Sequence, residues 1–213
     1  MPNDHWPLLD LAVRTPRLTL RYLDDQMALA LLAVAARGVH DPAVMPFTIP
    51  WTDLPSPQME QEAMRFYART RADLRPDSWN LQFAVIADGD VVGMCDLGAK
   101  DFSTLRQFTT GSWLGREYQG QGFGKEMRMA ALTLGFDGLD AEFAQTAAWH
   151  DNAASLGVTR SLGYSEEGRR RMLRRRQSDE MVDFRMLRRH WETIRRDDIE
   201  IHGMPSARAF LGL

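Results

Sequence analysis

With one cysteine in 213 residues, the chain can form no internal disulfide and has no second thiolate to complete a zinc site. That thiol, Cys95, sits in the apolar run VVGMCDL, where a small buried hydrophobe is expected in preference to a nucleophile. The five histidines are scattered and form no His/Cys/Asp cluster at ligand spacing, so no metal is expected. No apolar run approaches the roughly 20 residues that cross a bilayer, and the opening MPNDHWPLLD lacks the basic-then-apolar layout of a secretory leader. A soluble, cytoplasmic protein without a membrane partner is the expectation. The net charge of -3 gives no global attraction to nucleic acid. Neither an internal repeat nor a low-complexity tract is present.

What remains is ordinary globular usage, 44% hydrophobic and 26% charged, in a length that suits one substantial domain, residues 1–213. TPRLTLRYL alternates as a half-buried strand, with Leu18 and Leu20 on one face. Asp24 and Asp25 cap a helix carrying Met27, Leu31, Leu32 and Ala35, which ends near Gly38. Residues 39–57 hold five prolines and read as an irregular insertion built around Phe47 and Trp51, long enough to line a binding cleft. A helix follows from about Gln58 to Arg71, with Met59, Ala63, Phe66 and Tyr67 on one side. Two strands flank the turn at Asp88-Gly89-Asp90. FTTGSWLG is a third, EFAQTAAWH another, NAASLGVTRSLG a short helix, and YSEEGRRRML with MVDFRML a final pair of strands.

Between FTTGSWLG and the helix of GKEMRMAALTLGF lies YQGQGFGKEMR. Its glycines suit a backbone that approaches an anion, because bare N–H groups at a helix start attract phosphate. Two phosphate-loop templates fail. G-x-x-x-x-G-K-[ST] needs glycines five apart and a hydroxyl after the lysine, but Gly120 and Gly124 are four apart and Glu126 follows Lys125. G-x-G-x-x-G needs a third glycine where Lys125 or Met127 stands. Q-x-x-G-x-G fits, as Gln119, Gly122 and Gly124.

That pattern, between strand and helix, resembles the coenzyme A loop of the GNAT superfamily of N-acetyltransferases. Asn152, Ser155 and the pair Gly163-Tyr164 in NAASLGVTRSLGY resemble a block often found after the next strand, and the likeness covers roughly 15–195. YQGQGFG and VDFRMLRRHWE look most like the Rim-type branch, the ribosomal-protein N-terminal acetyltransferases. The resemblance implies an α/β (α+β) fold with a mostly antiparallel, splayed sheet of about seven strands flanked by helices. It implies acetyl-CoA or another acyl-CoA as co-substrate, held by Trp113, Leu114, Gln119, Gly120, Gly122, Phe123, Gly124, Lys125, Asn152 and Ser155, with an amine acceptor as the second partner.

For the catalytic groups, the chain departs from the family pattern at two positions. Many relatives place a tyrosine where Thr159 stands and a carboxylate where Thr109 stands. Ser155 is the candidate proton donor, with helix capping as its structural alternative. Glu167 is the first candidate base, ahead of Asp96 and His150. The run RRRMLRRRQ, arginines at 169–171 and 174–176, reads either as a cationic edge strand or as a recognition surface for an acidic group; nucleic acid would want interleaved aromatics. The tail 197–213 leaves three placements open: an edge strand, a surface segment, or a swap within a homo-oligomer. Function reads as acyl-CoA-dependent N-acyltransfer, acetyl by default with succinyl open, against a catalytically silent CoA sensor and a nucleotide-binding module.

Overall fold

A computed structural model describes residues 3–213. The short strand β1 (Ala12–Arg14) turns into β2 (Leu18–Tyr22), where Leu18 and Leu20 are buried as their alternation requires. The Asp24 carboxylate accepts from the Met27 N–H at 2.8 Å and starts α1 (Asp25–Ala36), as expected of a short acidic side chain at this position. Residues 39–57 contain no regular element beyond a 3-10 turn at Trp51–Asp53. After them comes α2 (Gln58–Ala72), which buries Met59 and Tyr67. Phe66, expected on that side, is 48% exposed. The buried stripe of α2 is narrower than the sequence pattern, so Phe66 packs beside Tyr67 at its edge, ring centroids 5.8 Å apart.

The hairpin of β3 (Ser78–Ala87) and β4 (Asp90–Lys100) turns at Asp88 and Gly89, with φ of 50° and 90°, the paired positive values of a twist-matched two-residue turn. One helical turn, α3 (Phe102–Leu105), leads to β5 (Gln107–Leu114). The glycine loop opens α4 (Phe123–Thr133), which runs on through a π-helical turn at Leu134–Gly138. Then follow β6 (Phe143–Trp149), α5 (Ala153–Ser161), β7 (Ser165–Arg174), β8 (Gln177–Leu187), α6 (Arg188–Ile194), β9 (Glu200–His202) and α7 (Met204–Phe210).

All nine strands join one sheet in the order β7-β8-β6-β5-β4-β3-β2-β1-β9. The two beyond the expected seven are β1 and β9, three residues each and paired with one another; β1 is too short for alternation to reveal it, and β9 falls in the weakly alternating IEIH, where an edge strand is one of the placements open to the tail. The tail 197–213 therefore supplies an edge strand, and α7 behind it buries Ala207 and Leu211. Cys95 and Leu97 of β4 face the main core with Met127 and Ala131 of α4; Met94 faces the opposite way, into a smaller core under α1 and α2. Phe108, Phe136 and Trp191 complete the main core below β5, the last two stacked at 5.6 Å.

Every neighbouring pair is antiparallel except β5 and β6. Those two run parallel and pair only at Gln107–Thr109 with Phe143–Gln145. Beyond Thr109 and Gln145 they diverge. That V opens the sheet between two of its central strands, and the glycine loop follows one of its arms.

Candidate active site

Where β5 and β6 part, a cleft of about 630 Å³ opens. Thr110, Gly111 and Ser112 of β5 line one wall, and Thr146, Ala147 and Ala148 of β6 the other. On the β4 side, the Gly115 N–H donates to Val92 O. The two-residue period of an antiparallel ladder then turns the backbone groups of Ser112 and Leu114 the other way, into the opening. Leu114 O accepts from the Gln119 side-chain amide at 2.9 Å, and that amide also donates to Val39 O at 2.7 Å. Gln119 thus ties the strand end to the start of the insertion, and its side chain is committed within the protein. Trp113 faces away from the cleft. Its indole packs against Trp51, centroids 5.7 Å apart, and does not line the cleft, because alternation turns it to the opposite face from Leu114.

The loop presents its backbone. Gly120 and Gly122 have φ of 73° and 83°, a region that L side chains enter at a cost. Among the described residues, no N–H from 120 to 125 donates to a protein acceptor. Six consecutive amides at the start of α4 therefore stand ready for an anion, aided by the helix dipole. The Lys125 ammonium is exposed and lies 3.4 Å from Ser161 O, and Phe123 packs under Arg17, whose guanidinium carbon is 4.9 Å from the ring centroid. Arg17 belongs to a brace that the sequence did not reveal. The Glu126 carboxylate, 9% exposed, accepts from the Thr15 hydroxyl at 2.6 Å, the Arg17 N–H at 3.0 Å and the Arg17 Nε at 2.7 Å, while Arg17 Nη1 donates to Gln121 O at 3.1 Å. Burial pushes the Glu126 pKa up, but the Thr15 and Arg17 hydrogen bonds outweigh it and leave it below the ordinary glutamate value.

Ser155 and Glu167, far apart in sequence, both line the cleft with Asn152. Asn152 caps α5, its Oδ1 accepting from the Ser155 N–H at 3.1 Å; the Ser155 hydroxyl is no cap. Glu167 sits at an irregularity in the β7–β8 register and pairs with Arg185 at 2.6 Å. The other two candidates fall outside. Asp96 accepts from Asn80 Nδ2 at 3.0 Å and lies so close to Gly111 that a side chain there would meet its Oδ1. Burial raises its pKa, against the Asn80 hydrogen bond and the Arg128 charge. His150 projects beyond the end of β6, 3.2 Å from Asp179. Thr159 is fully buried, and so is Cys95, whose thiol burial pushes up to about 12. Among the described residues no group of three or more His, Cys, Asp or Glu could hold a metal.

Arg128 is a lining residue that the sequence did not reveal: 5% exposed, it reaches the cleft from α4 and donates to Thr146 Oγ1 at 3.1 Å. A charge amid the apolar EMRMAAL was the available signal. Two arginines of the run fasten the insertion, while Arg169, Arg170 and Arg171 bond residues of their own hairpin. Arg174, 9% exposed, donates to Met45 O at 2.7 Å and pairs with Asp151 and Asp179, both at 2.9 Å. Arg175 holds Asp53 at 2.5 Å and Pro42 O at 2.9 Å. So anchored, the insertion places Phe47 in the cleft wall, while Trp51 packs between Phe47 and Trp113.

A parallel strand pair that parts beside a glycine-rich, anion-ready helix start defines a class of acyl-CoA-binding fold. The model of the acetyltransferase (GNAT) domain matches residues 17–165, and the chain belongs to that family. YdaF of Bacillus subtilis (strain 168), which bears the name of a ribosomal N-acetyltransferase, is 26% identical over 132 residues, 57% of this chain and 71% of YdaF. Among solved structures, RimJ of Mycobacterium smegmatis in complex with CoA-disulfide superposes with a TM-score of 0.69 at 17% identity, over 91% of this chain and 98% of RimJ. RimL, a ribosomal L7/L12 alpha-N-protein acetyltransferase solved with coenzyme A, gives 0.66 at 16% identity over 81% and 95%. The protein is thus an enzyme of N-acetyltransferase type with the GNAT fold, and its likeness extends to the Rim-type relatives. No helix among the described residues is long and apolar enough to cross a membrane.

Proposed function

We propose that the protein transfers an acyl group from acyl-CoA to a primary amine of a protein or small molecule, in the cytoplasm, by direct attack within a ternary complex. The observation that carries this is the divergence of β5 and β6 next to six unpartnered loop amides. The amides of 120–125 hold the pyrophosphate. The outward backbone groups of Ser112 and Leu114 take the pantetheine arm as a strand partner would, which positions the thioester in the V. The acceptor amine attacks the thioester carbonyl; the C–N bond forms, the C–S bond breaks, and one amine proton leaves as the departing sulfur gains one. Ser155 donates to that sulfur. Glu167 accepts the amine proton directly or through water, held in place by Arg185. A second cavity of about 510 Å³ shares Thr109 and Gln145 with the cleft and serves as the acceptor's approach. Acetyl is the acyl group expected of the family.

The competing reading, a silent CoA sensor, draws on the burial of Thr159 where many relatives carry tyrosine, and on the pairing of Glu167. Thermal unfolding against coenzyme A, acetyl-CoA, succinyl-CoA, ATP and NAD is the first test, since a ligand that binds only the native state raises Tm with occupancy. A shift confined to the CoA compounds supports the loop assignment; an equal shift with ATP ends it. Thiol release with an amine panel then separates enzyme from sensor. For Ser155→Ala, turnover should fall far more than coenzyme affinity; equal losses would make the hydroxyl a binding group only.

A further inference from the structure

Three lining residues of the cleft are cationic, Arg128, Arg170 and Arg185, and two are anionic, Glu167 and Asp183. Both carboxylates are taken: Arg185 pairs with Glu167 and Arg170 with Asp183. Arg128 is left over, and it is the buried one. Among the described residues it makes no ion pair, and its Nε is buried without a hydrogen-bond partner. Asp96 is near enough for its pKa to respond to the Arg128 charge, yet out of ion-pairing range. Two buried hydroxyls adjoin it, those of Tyr164 and Thr110. Neither finds a partner of good geometry, yet Tyr164 lies close enough to both Arg128 and Thr110 that the Arg128 charge and hydrogen bonding with the two oppose the rise that burial gives its pKa. A buried guanidinium with an open Nε and no carboxylate of its own meets two hydroxyls where β5 and β6 begin to part.

Buried polar groups are almost always satisfied, and a planar guanidinium fork is matched best by a carboxylate. We infer that this cluster receives a carboxylate at the far end of the acyl chain, so that the co-substrate is the CoA thioester of a dicarboxylic acid, of the succinyl or glutaryl kind. The inference rests on the acyltransferase reading and specifies its acyl group. Location favours the acyl chain over the acceptor. Arg128 projects from α4, the helix whose first turn carries the loop amides, and its partner Thr146 bonds Thr110 O at the apex of the V. The second cavity, assigned to the acceptor's approach, does not include Arg128, and the other two arginines of the cleft are already paired. Arg128 donates through Nε and Nη2, Tyr164 and Thr110 through their hydroxyls, and the carboxylate oxygens accept. Acetyl-CoA leaves all of these unanswered.

Calorimetric titration of the intact protein with coenzyme A, acetyl-, butyryl-, succinyl- and glutaryl-CoA tests the idea without turnover. Butyryl matches succinyl in chain length but lacks the charge. A dicarboxylic thioester should bind at least about tenfold tighter than butyryl-CoA, the scale of a charge-assisted hydrogen bond. Arg128→Met should erase that advantage with little change in the affinity for coenzyme A itself, and Arg128→Lys should keep part of it. Equal affinity for the charged and neutral thioesters of the wild-type protein overturns the inference even if neither variant folds. An advantage that survives in folded Arg128→Met overturns the assignment to Arg128. Failure of every CoA compound to bind would overturn the acyltransferase reading, whereas binding without discrimination overturns only the acyl specificity. Should acidic acceptors, and not acidic thioesters, lose kcat/KM in Arg128→Met, the carboxylate would come from the acceptor and the inference would fall.

Discussion

Replacing Glu126 by alanine tests how the glycine loop is held. The carboxylate joins three donors from the β1–β2 turn to the first turn of α4, and through Arg17 reaches the carbonyl of Gln121 inside the loop. Glu126 is 9% exposed but its partner Arg17 is 50% exposed, so the loss belongs between an exposed pair, about 0–1 kcal/mol, and a buried one, about 3–5 kcal/mol. We expect about 2–3 kcal/mol, which for a chain of this size lowers Tm by roughly 4–12 °C. Affinity for coenzyme A should fall at the same time, because Gln121 and Phe123 lose their support. The pH dependence has a defined sign. Glu126 has a folded pKa below its ordinary value of about 4.3, so its contribution is complete above that value and disappears as pH falls through the folded pKa. Calorimetric scans of wild type, Glu126→Gln and Glu126→Ala from neutral to acidic pH would read it: the gap between wild type and Glu126→Ala should be widest near neutrality and should narrow below about pH 4.3. A Tm for Glu126→Ala within a degree of wild type, or a gap that widens on acidification, would refute the reasoning.

Gly122→Trp should cost roughly 1–2 kcal/mol of stability, because φ of 83° disfavours any side chain, and should abolish coenzyme binding; unchanged affinity in the folded variant would show that the phosphates lie elsewhere. Arg174→Ala removes the hold on Met45 and leaves Asp151 and Asp179 unpaired, so about 2–4 kcal/mol should be lost. Limited proteolysis should then cut within residues 39–57, and a digestion pattern like that of wild type would count against the clamp. Cys95, its thiol pushed up to about 12, should resist alkylation at neutral pH until the protein unfolds; rapid native labelling would contradict its burial.

Most of the sheet was legible because its strands are long enough to alternate and its turns carry their own chemistry: Asp24 at the start of α1, Asp88-Gly89 between β3 and β4, Gly163 after α5. The glycine loop was legible as a turn between strand and helix, because Gly120 and Gly122 take the positive φ that other residues avoid. Residues that act through partners distant in sequence were not. Glu126 looks like any first-turn carboxylate until Thr15 and Arg17 are seen around it. Arg128 looks like a solvated helix residue until the parting of β5 and β6 gives it somewhere to go. The arginine run was ambiguous for the same reason: its partners Asp53, Asp151 and the carbonyls of Pro42 and Met45 lie elsewhere in the chain. Phe66 went astray through orientation, which a pattern of apolar residues fixes only to the width of a face.

The pairing of β1 with β9 has a bearing on how the protein comes into being. Val13 and Ile201 are register partners, so the outer flank of the sheet is closed by residues made almost 190 positions after those they cover. During synthesis, while earlier portions of a chain begin to fold, β1 waits with a bare row of N–H and C=O groups. Such a flank invites pairing with a neighbouring chain. The pairing thus acts as a latch that sets late, and the interval before it sets is when the nascent enzyme is most exposed to association with its own copies.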